Sequence, residues 1–313
     1  MYDIIGDIHG HAEPLKQLLL KMDYAEVNHV FTHPQGRQVI YLGDFIDRGP
    51  AILETLKIAH AMVNNGTALA VMGNHEFNAL AYHTSHPTEG YLLRPHSTKN
   101  QHQHQATLDA LSSPQLSFYL DWFKTLPTHL QLPGLRIVHA CWNDVQLNVV
   151  QQALDDHGGV TATFLTDATD SSTPLFHAIE TVLKGPELPL PPGCFYRDKE
   201  GNRRTRIRIK WYEARDQQLI SEYMMPPGQP HDPTLDVPLT KPDRVTTTGY
   251  ALDQDPVFVG HYWMTDPTPS RLTPNVACLD YSVAKDGILV GYRWDGESTI
   301  NDDHFVYTNT TSA

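Results

Sequence analysis

The sequence predicts an α/β layered fold, and three observations carry that prediction. Short apolar runs alternate with amphipathic stretches of helical period through the first 140 residues. Several of the apolar runs end in glycine followed at once by Asp, Asn or His. Hydrophobic residues make up 40 % of a 313-residue chain, enough to bury a sizeable core.

The elements follow in order. Residues 2–6 form a short apolar strand. Residues 12–21 carry Leu15, Leu18 and Leu19 at helical spacing, with Pro14 tolerated in the first turn. Residues 27–32 and 38–43 read as strands, with Pro34-Gln35-Gly36 as the turn between them. A helix over 52–63 stops near Asn65-Gly66, and a buried strand follows at 67–72. Another helix runs from about His75 to His83. The polar, His-rich stretch 84–105 reads as a surface loop, and His102-Gln103-His104 as part of that surface, with metal binding as the alternative and room for the loop to border the cleft. Ser113-Pro114 reads as an N-cap and N1 pair opening a helix to about Lys124. Residues 136–140 form a strand, and 145–154 and 175–183 form helices. Residues 185–194 are proline-rich and irregular. Residues 195–213 read as a hairpin turning at Lys199-Glu200-Gly201-Asn202, and 225–243, with six prolines, as an extended connection. Strands resume at 256–260, 275–279 and 288–294, and the polar tail after Asn301 is expected to fray. We read residues 1–313 as one domain, with the proline-rich and basic stretch 185–244 inserted into it.

Composition narrows the function classes. No run of about 18 apolar residues exists, so no transmembrane helix is expected. Met1-Tyr2-Asp3-Ile4-Ile5 leads straight into a strand, without a basic or apolar leader. Cys141, Cys194 and Cys278 are widely spaced and odd in number, which fits a reducing cytoplasm. A formal charge of −13 argues against general nucleic-acid binding. Eighteen histidines hint at metal or phosphate chemistry.

Four segments share one layout of strand, glycine and metal-competent side chain: Gly6-Asp7-Ile8-His9, Gly43-Asp44-Phe45-Ile46-Asp47-Arg48-Gly49, Gly73-Asn74-His75-Glu76 and Gly260-His261. His139 ends a related strand without the glycine. Ligands of α/β sheets gather at the carboxyl ends of strands, so distant segments can converge there. Asp, His and Asn offer oxygen and imidazole donors that suit manganese, iron or zinc. The Asp-x-His spacing of Asp7 and His9 would put both donors on one side of an extended backbone. Asp44 could bridge two ions, the clamp used for hydrolysis at phosphorus. Glu76 reads as a first-turn helix acid.

These motifs, GDIHG, GDFIDRG and GNHE followed by His139 and His261, resemble those of the phosphoprotein-phosphatase-like, or calcineurin-like, metallophosphoesterases. That family includes serine/threonine protein phosphatases and diadenosine tetraphosphatases. The resemblance implies a central mixed β-sandwich flanked by helices. It also implies two divalent metal ions, manganese first, with iron or zinc as alternatives. Asp7 and His9 would hold the first ion, Asp44 would bridge, and Asn74, His139 and His261 would complete the second. A bridging hydroxide would attack phosphorus in line. Arg48 would clamp phosphate oxygens together with Asn74. His75 would act as general acid, oriented by Asp47. The chain departs from the protein phosphatases at His139-Ala140-Cys141-Trp142 and at Tyr262-Trp263, which puts aromatic bulk beside the second ion.

The expected activity is hydrolysis of a phosphorylated substrate. A phosphomonoesterase acting on proteins or small molecules is the leading form, with a dinucleoside tetraphosphatase as the alternative. A non-catalytic binding module would require loss of a ligand or of the acid, and none is missing. Residues 195–210 carry seven basic and two acidic side chains. Arg204, Arg206, Arg208 and Lys210 alternate with Thr205, Ile207, Ile209 and Trp211, so one strand face is basic. The expected role is a solvated face or a charge-protected edge, with recognition of extra phosphates or of an acidic substrate flank as the alternative. Tyr196, Trp142 and Trp263 are each candidates to stack a nucleobase or to pack in the core.

Overall fold

A computed structural model describes residues 1–197, 203–214, 219–226, 235–236, 238 and 249–308. In chain order it begins β1 (Tyr2–Ile5), α1 (Ala12–Lys21), β2 (Ala25–Val27), β3 (Val30–Thr32), β4 (Gln38–Tyr41), α2 (Ile52–Asn64), β5 (Ala68–Ala70) and α3 (Asn74–Tyr82). It continues with α4 (Thr98–Ala110), α5 (Ser113–Phe123), β6 (His129–Leu132), β7 (Leu135–Val138), α6 (Asp144–His157), α7 (Ala162–Thr169) and α8 (Pro174–Lys184). The region expected to be an insertion holds β8 (Glu187–Pro189), β9 (Tyr196–Arg197), β10 (Arg203–Arg204), β11 (Arg206–Arg208) and α9 (Ile220–Tyr223). The chain then returns through β12 (Val257–Val259), β13 (Val276–Cys278), β14 (Asp280–Tyr281), β15 (Ile288–Trp294) and β16 (Phe305–Tyr307).

Two mixed sheets form the centre. One has the order β14-β15-β1-β4-β5, with β16 also on β15; β1, β4 and β5 run parallel and β15 runs against β1. The other has the order β13-β12-β7-β6, with β7, β12 and β13 parallel. Phe258 of β12 packs on Tyr292 of β15 with ring centroids 4.7 Å apart, so the sheets share one core. Helices cover them through apolar faces: Leu15, Leu18 and Leu19 of α1, and Leu175, Ile179, Val182 and Leu183 of α8, are buried. Each such side chain contributes about 1.5–3 kcal/mol when removed from water. The architecture is the expected α/β sandwich flanked by helices.

The differences from the sequence expectation are local. The stretch 84–105 is not all loop, because α4 starts at Thr98 with Ser97 as its cap. Its only buried side chains are His104 and Thr107, so no apolar stripe announces it. The cap of α5 is Ser112, one residue early, in a reciprocal box with Gln115. The strands β6 and β8 and helix α7 were not expected. The expected hairpin 195–213 is divided. β9 pairs β10, but β11 leaves it to pair β8 in the stretch read as irregular. The turn 199–202, and most of 225–243, lie outside the described residues. Beyond Asn301 the chain does not fray at once, since β16 pairs β15. Leu188, Leu190, Ile207, Ile209, Ile220 and Tyr223 form a small core of their own under β8 and β11. Among the described residues no helix is long and apolar enough to cross a membrane.

Candidate metal and phosphoester site

The residues that follow the carboxyl ends of β1, β4, β5, β7 and β12 meet at one place. Asp7, His9, Asp44, Asp47, Asn74, His139 and His261 are all buried there. His75 keeps a small exposed edge, and Arg48 is exposed. The strand period does not bring Asp7 and His9 together as expected. β1 ends at Ile5, and His9 sits in a turn with φ 47°. Asp44, Asp47, Arg48, His261 and Trp263 also have positive φ. Each such residue costs of order 1–3 kcal/mol, and that strain is concentrated in the loops that aim these side chains. Two glycines make the close approach possible. A Cβ on Gly73 would lie 2.2 Å from Asp44 Oδ1, and one on Gly260 would lie 2.0 Å from Asp7 Oδ1.

Asp44 is the hub. Its ligand atoms, with those of His9 and His75, lie within 4.8 Å of one another, and the same holds for Asp44, His139 and His261. The backbone N–H of His75 donates to Asp44 Oδ1 at 2.9 Å. His9 Nδ1 donates to the Ile46 carbonyl at 2.9 Å, which turns Nε2 toward Asp44 Oδ2 at 3.5 Å. His139 Nδ1 donates to the Leu42 carbonyl at 2.7 Å, which turns its Nε2 toward Asn74 Oδ1 (3.1 Å) and Asp44 Oδ1 (3.5 Å). His261 Nδ1 donates to Asn74 Oδ1 at 2.6 Å, and the His261 N–H donates to Asp7 Oδ2 at 3.0 Å. Asp7 Oδ1, His9 Nε2 and His261 Nε2 are buried without a hydrogen-bond partner among the described residues. Three such atoms from three segments are unusual in a folded interior.

The electrostatics fit a cation-binding pocket. Burial and then His75 pull His9 down to about 3, and burial with Arg208 holds His261 well below its ordinary value, so both rings are neutral donors. Burial works against ionisation of Asp44, but His139 and His75 outweigh it and hold Asp44 well below the usual carboxylate range. Burial likewise opposes protonation of His139, and the Asp44 carboxylate overcomes it, raising His139 to about 10. Burial and then the Asp280 charge push Asp7 well up.

Asp47 stands behind His75. Its Oδ2 accepts from His75 Nδ1 at 2.5 Å, and its Oδ1 accepts from His104 Nδ1 at 2.9 Å and from the Thr107 hydroxyl at 2.6 Å. His104 is therefore part of the site rather than surface, contrary to the expectation for 102–104. Glu76 is more than a first-turn acid. It is fully buried and accepts from the backbone N–H groups of Asp44 (2.8 Å), Phe45 (2.8 Å) and Gly73 (3.0 Å), tying together the loops that carry Asp44 and Asn74. Its adjacency to Asn74-His75 was the only sequence signal. Asp280 holds the Trp263 N–H at 2.8 Å, and nothing near it in sequence announced that.

A cleft of about 310 Å³ opens over Asp44, Asn74, His75 and His261. Its wall includes Arg48, Arg204, Arg206, Arg208 and Lys285, so the basic segment turns toward the site rather than only to solvent. Arg206 is held by Glu187 at 3.3 Å. Trp263 and Tyr196 also line the cleft, and Trp263 stacks under Arg48 with 4.5 Å from guanidinium to ring. Trp142 does not line it. Its indole donates to Asp144 at 2.9 Å and packs by Arg136. Tyr262 donates to the Ala140 carbonyl and is core, though the cleft reaches its surface.

The calcineurin-like phosphoesterase family model matches residues 2–187, more than half of the chain, and this chain belongs to that family. It is 40 % identical over 73 residues to an asymmetrical bis(5'-nucleosyl)-tetraphosphatase of Oceanobacillus iheyensis, a match covering 23 % of this chain and 29 % of the relative. The chain thus spans about three-tenths of such relatives. It is 25 % identical over 312 residues to a symmetrical bis(5'-nucleosyl)-tetraphosphatase of Vibrio cholerae, covering 93 % of this chain and 94 % of the relative. A protein serine/threonine phosphatase from Saccharomyces cerevisiae shares the fold at a TM-score of 0.50 and 11 % identity, over all of this chain and 80 % of that one.

Proposed function

We propose that this protein is a metal-dependent phosphoester hydrolase, acting in a reducing cytoplasm on a substrate that carries more than one phosphate. The unpartnered Asp7 Oδ1, His9 Nε2 and His261 Nε2 fit bound cations, and the mixed oxygen and imidazole donors suit manganese. Asp7, His9 and Asp44 would hold one ion; Asp44, Asn74, His139 and His261 would hold a second. When bound, such ions neutralise charge developing at phosphorus and lower the pKa of water for attack.

The side chains supply the rest. Arg48, exposed at the cleft and backed by the Trp263 ring, offers a fork of N–H donors to phosphate oxygens. Asn74 lines the same floor. His75 also falls within a donor group with His9 and Asp44. We assign it instead as general acid because it lines the open cleft, where a leaving oxygen can reach Nε2. Asp47 fixes its Nδ1 proton. Residues 1–313 are read as one catalytic domain, with the 185–244 segment inserted into it.

The phosphomonoester reading and the dinucleoside polyphosphate reading share this chemistry. The observation that favours the second is the cleft wall, which places Arg204, Arg206, Arg208 and Lys285 with Trp263 and Tyr196 beyond the metal ligands. Those cations and rings match a substrate that carries further phosphates and a base beyond the scissile group. The names of the relatives agree. The test is manganese-reconstituted enzyme on p-nitrophenyl phosphate, phosphoserine and phosphotyrosine peptides, and diadenosine tetraphosphate, with His75→Asn beside it. Nucleotide products at a kcat/KM well above that for any monoester, lost in the variant, are expected. Inorganic phosphate from the monoesters alone would return the assignment to a phosphomonoesterase. Inactivity on all, with metal bound, would make it a binding module.

A further inference from the structure

We infer that His104 and Thr107, on helix α4, are positioning residues for the general acid, acting through Asp47. The inference rests on the assignment of His75 above and deepens it. A carboxylate only accepts hydrogen bonds, so the ring nitrogen of His104 that faces Asp47 Oδ1 at 2.9 Å carries a proton. Its other ring nitrogen, Nε2, lies 3.1 Å from His83 Nε2, and the two share a hydrogen bond. A line of four residues thereby ends at the acid: His83 beside His104, His104 on Asp47 Oδ1, and His75 on Asp47 Oδ2.

Thr107 adds a closed pair of bonds. Its hydroxyl donates to Asp47 Oδ1 at 2.6 Å and accepts the Asp47 N–H at 3.0 Å. That bond helps to hold Asp47 at its strained φ of 67°. With Oδ1 occupied by two donors from α4, Oδ2 is left to His75, and the carboxylate cannot rotate without losing both. His104 and Thr107 are the buried side chains of α4, and both face Asp47. The helix itself is held in place by Arg94, which donates to Asn78 of α3 at 2.7 Å and to Gln103 of α4 at 2.9 Å. Ala106 and Ala110 rest against the apolar core, but the fully buried side chains of α4 are polar and face Asp47.

The experiment compares kcat and KM of manganese-loaded His104→Ala, His104→Gln, Thr107→Val, Thr107→Ser and His75→Asn on two monoesters, p-nitrophenyl phosphate and phenyl phosphate. The second has the poorer leaving group and needs the acid more. Expected for His104→Ala and Thr107→Val is a kcat loss on phenyl phosphate of about 10–100-fold. On p-nitrophenyl phosphate the loss is at most a few-fold, with KM little changed. His104→Gln, which can still donate to Asp47, and Thr107→Ser should recover most of it. His75→Asn should show the same selectivity, more strongly. Equal losses on both substrates, or losses confined to KM, while His75→Asn stays selective, would overturn the inference and leave the acid assignment standing. If His75→Asn is itself unselective, the acid assignment fails and the inference with it. Should His104→Ala not fold, Thr107→Val against Thr107→Ser decides the matter alone.

Discussion

Replacing Gly260 by alanine tests the site through one atom. Gly260 does not have a positive φ, so the backbone accepts an L residue, and Gly→Ala at a compatible position even stabilises by about 0.4–1 kcal/mol through the unfolded chain. The added Cβ, however, would lie 2.0 Å from Asp7 Oδ1. The carboxylate must retreat by at least 1.0 Å to restore the 3.0 Å that real Cβ contacts need. Its Oδ2 would then give up the bond from the His261 N–H, worth about 1.5–3 kcal/mol for a charged acceptor. A displacement of that size costs activity on the order of 10²-fold when it misplaces catalytic groups. We therefore expect Gly260→Ala to fold, to melt within a few degrees of the parent, to hold less manganese by elemental analysis after gel filtration, and to lose about 10²-fold in kcat/KM. Metal content and turnover unchanged from the parent would refute the argument that Asp7 must sit where only a glycine leaves room.

Other outcomes follow from neighbouring contacts. Glu76→Gln presents an amide N–H₂ to backbone donors on one side, leaving at least one of the N–H groups of Asp44, Phe45 and Gly73 unpaired; a loss of about 2–4 kcal/mol in denaturant unfolding is expected. Burial opposes protonation of His75, but Asp44 and Asp47 outweigh it and raise the ring above its ordinary value of 6.5. Asp47 keeps its bond to the ring when metal is bound, so kcat/KM on phenyl phosphate should fall as pH climbs past the raised value of the acid, a limb missing from His75→Asn. By the same sign the pair stabilises the fold fully below 6.5 and loses that contribution above the raised value. In the metal-free protein Asp44 keeps His139 protonated to about 10, so calorimetry near pH 7 in buffers of different ionisation enthalpy should show at least one proton released on manganese binding. Finally, Arg204→Ser with Arg206→Ser should raise KM for diadenosine tetraphosphate several-fold and leave p-nitrophenyl phosphate within about twofold, since the two side chains line the outer cleft.

The sequence by itself determined the layered α/β class and singled out the residues we propose for the metal centre. Strand, glycine and ligand are adjacent along the chain in Gly6-Asp7, Gly43-Asp44, Gly73-Asn74 and Gly260-His261, so local order and local chemistry coincide. Only the tertiary structure decided which further side chains serve them. Helix α4 is silent in the sequence because its buried positions, His104 and Thr107, are polar, and an apolar period is what reveals a helix. Its partner is Asp47, 57 residues away from His104. Glu76 looked like an ordinary first-turn acid until its carboxylate was seen to gather N–H groups from residues 31 and 32 positions distant. The basic strand could face solvent or substrate equally well by alternation. In the fold β11 pairs with β8 rather than with β10, and Arg206 and Arg208 line the cleft; a pairing partner is chosen by long-range packing that period-two patterning does not encode.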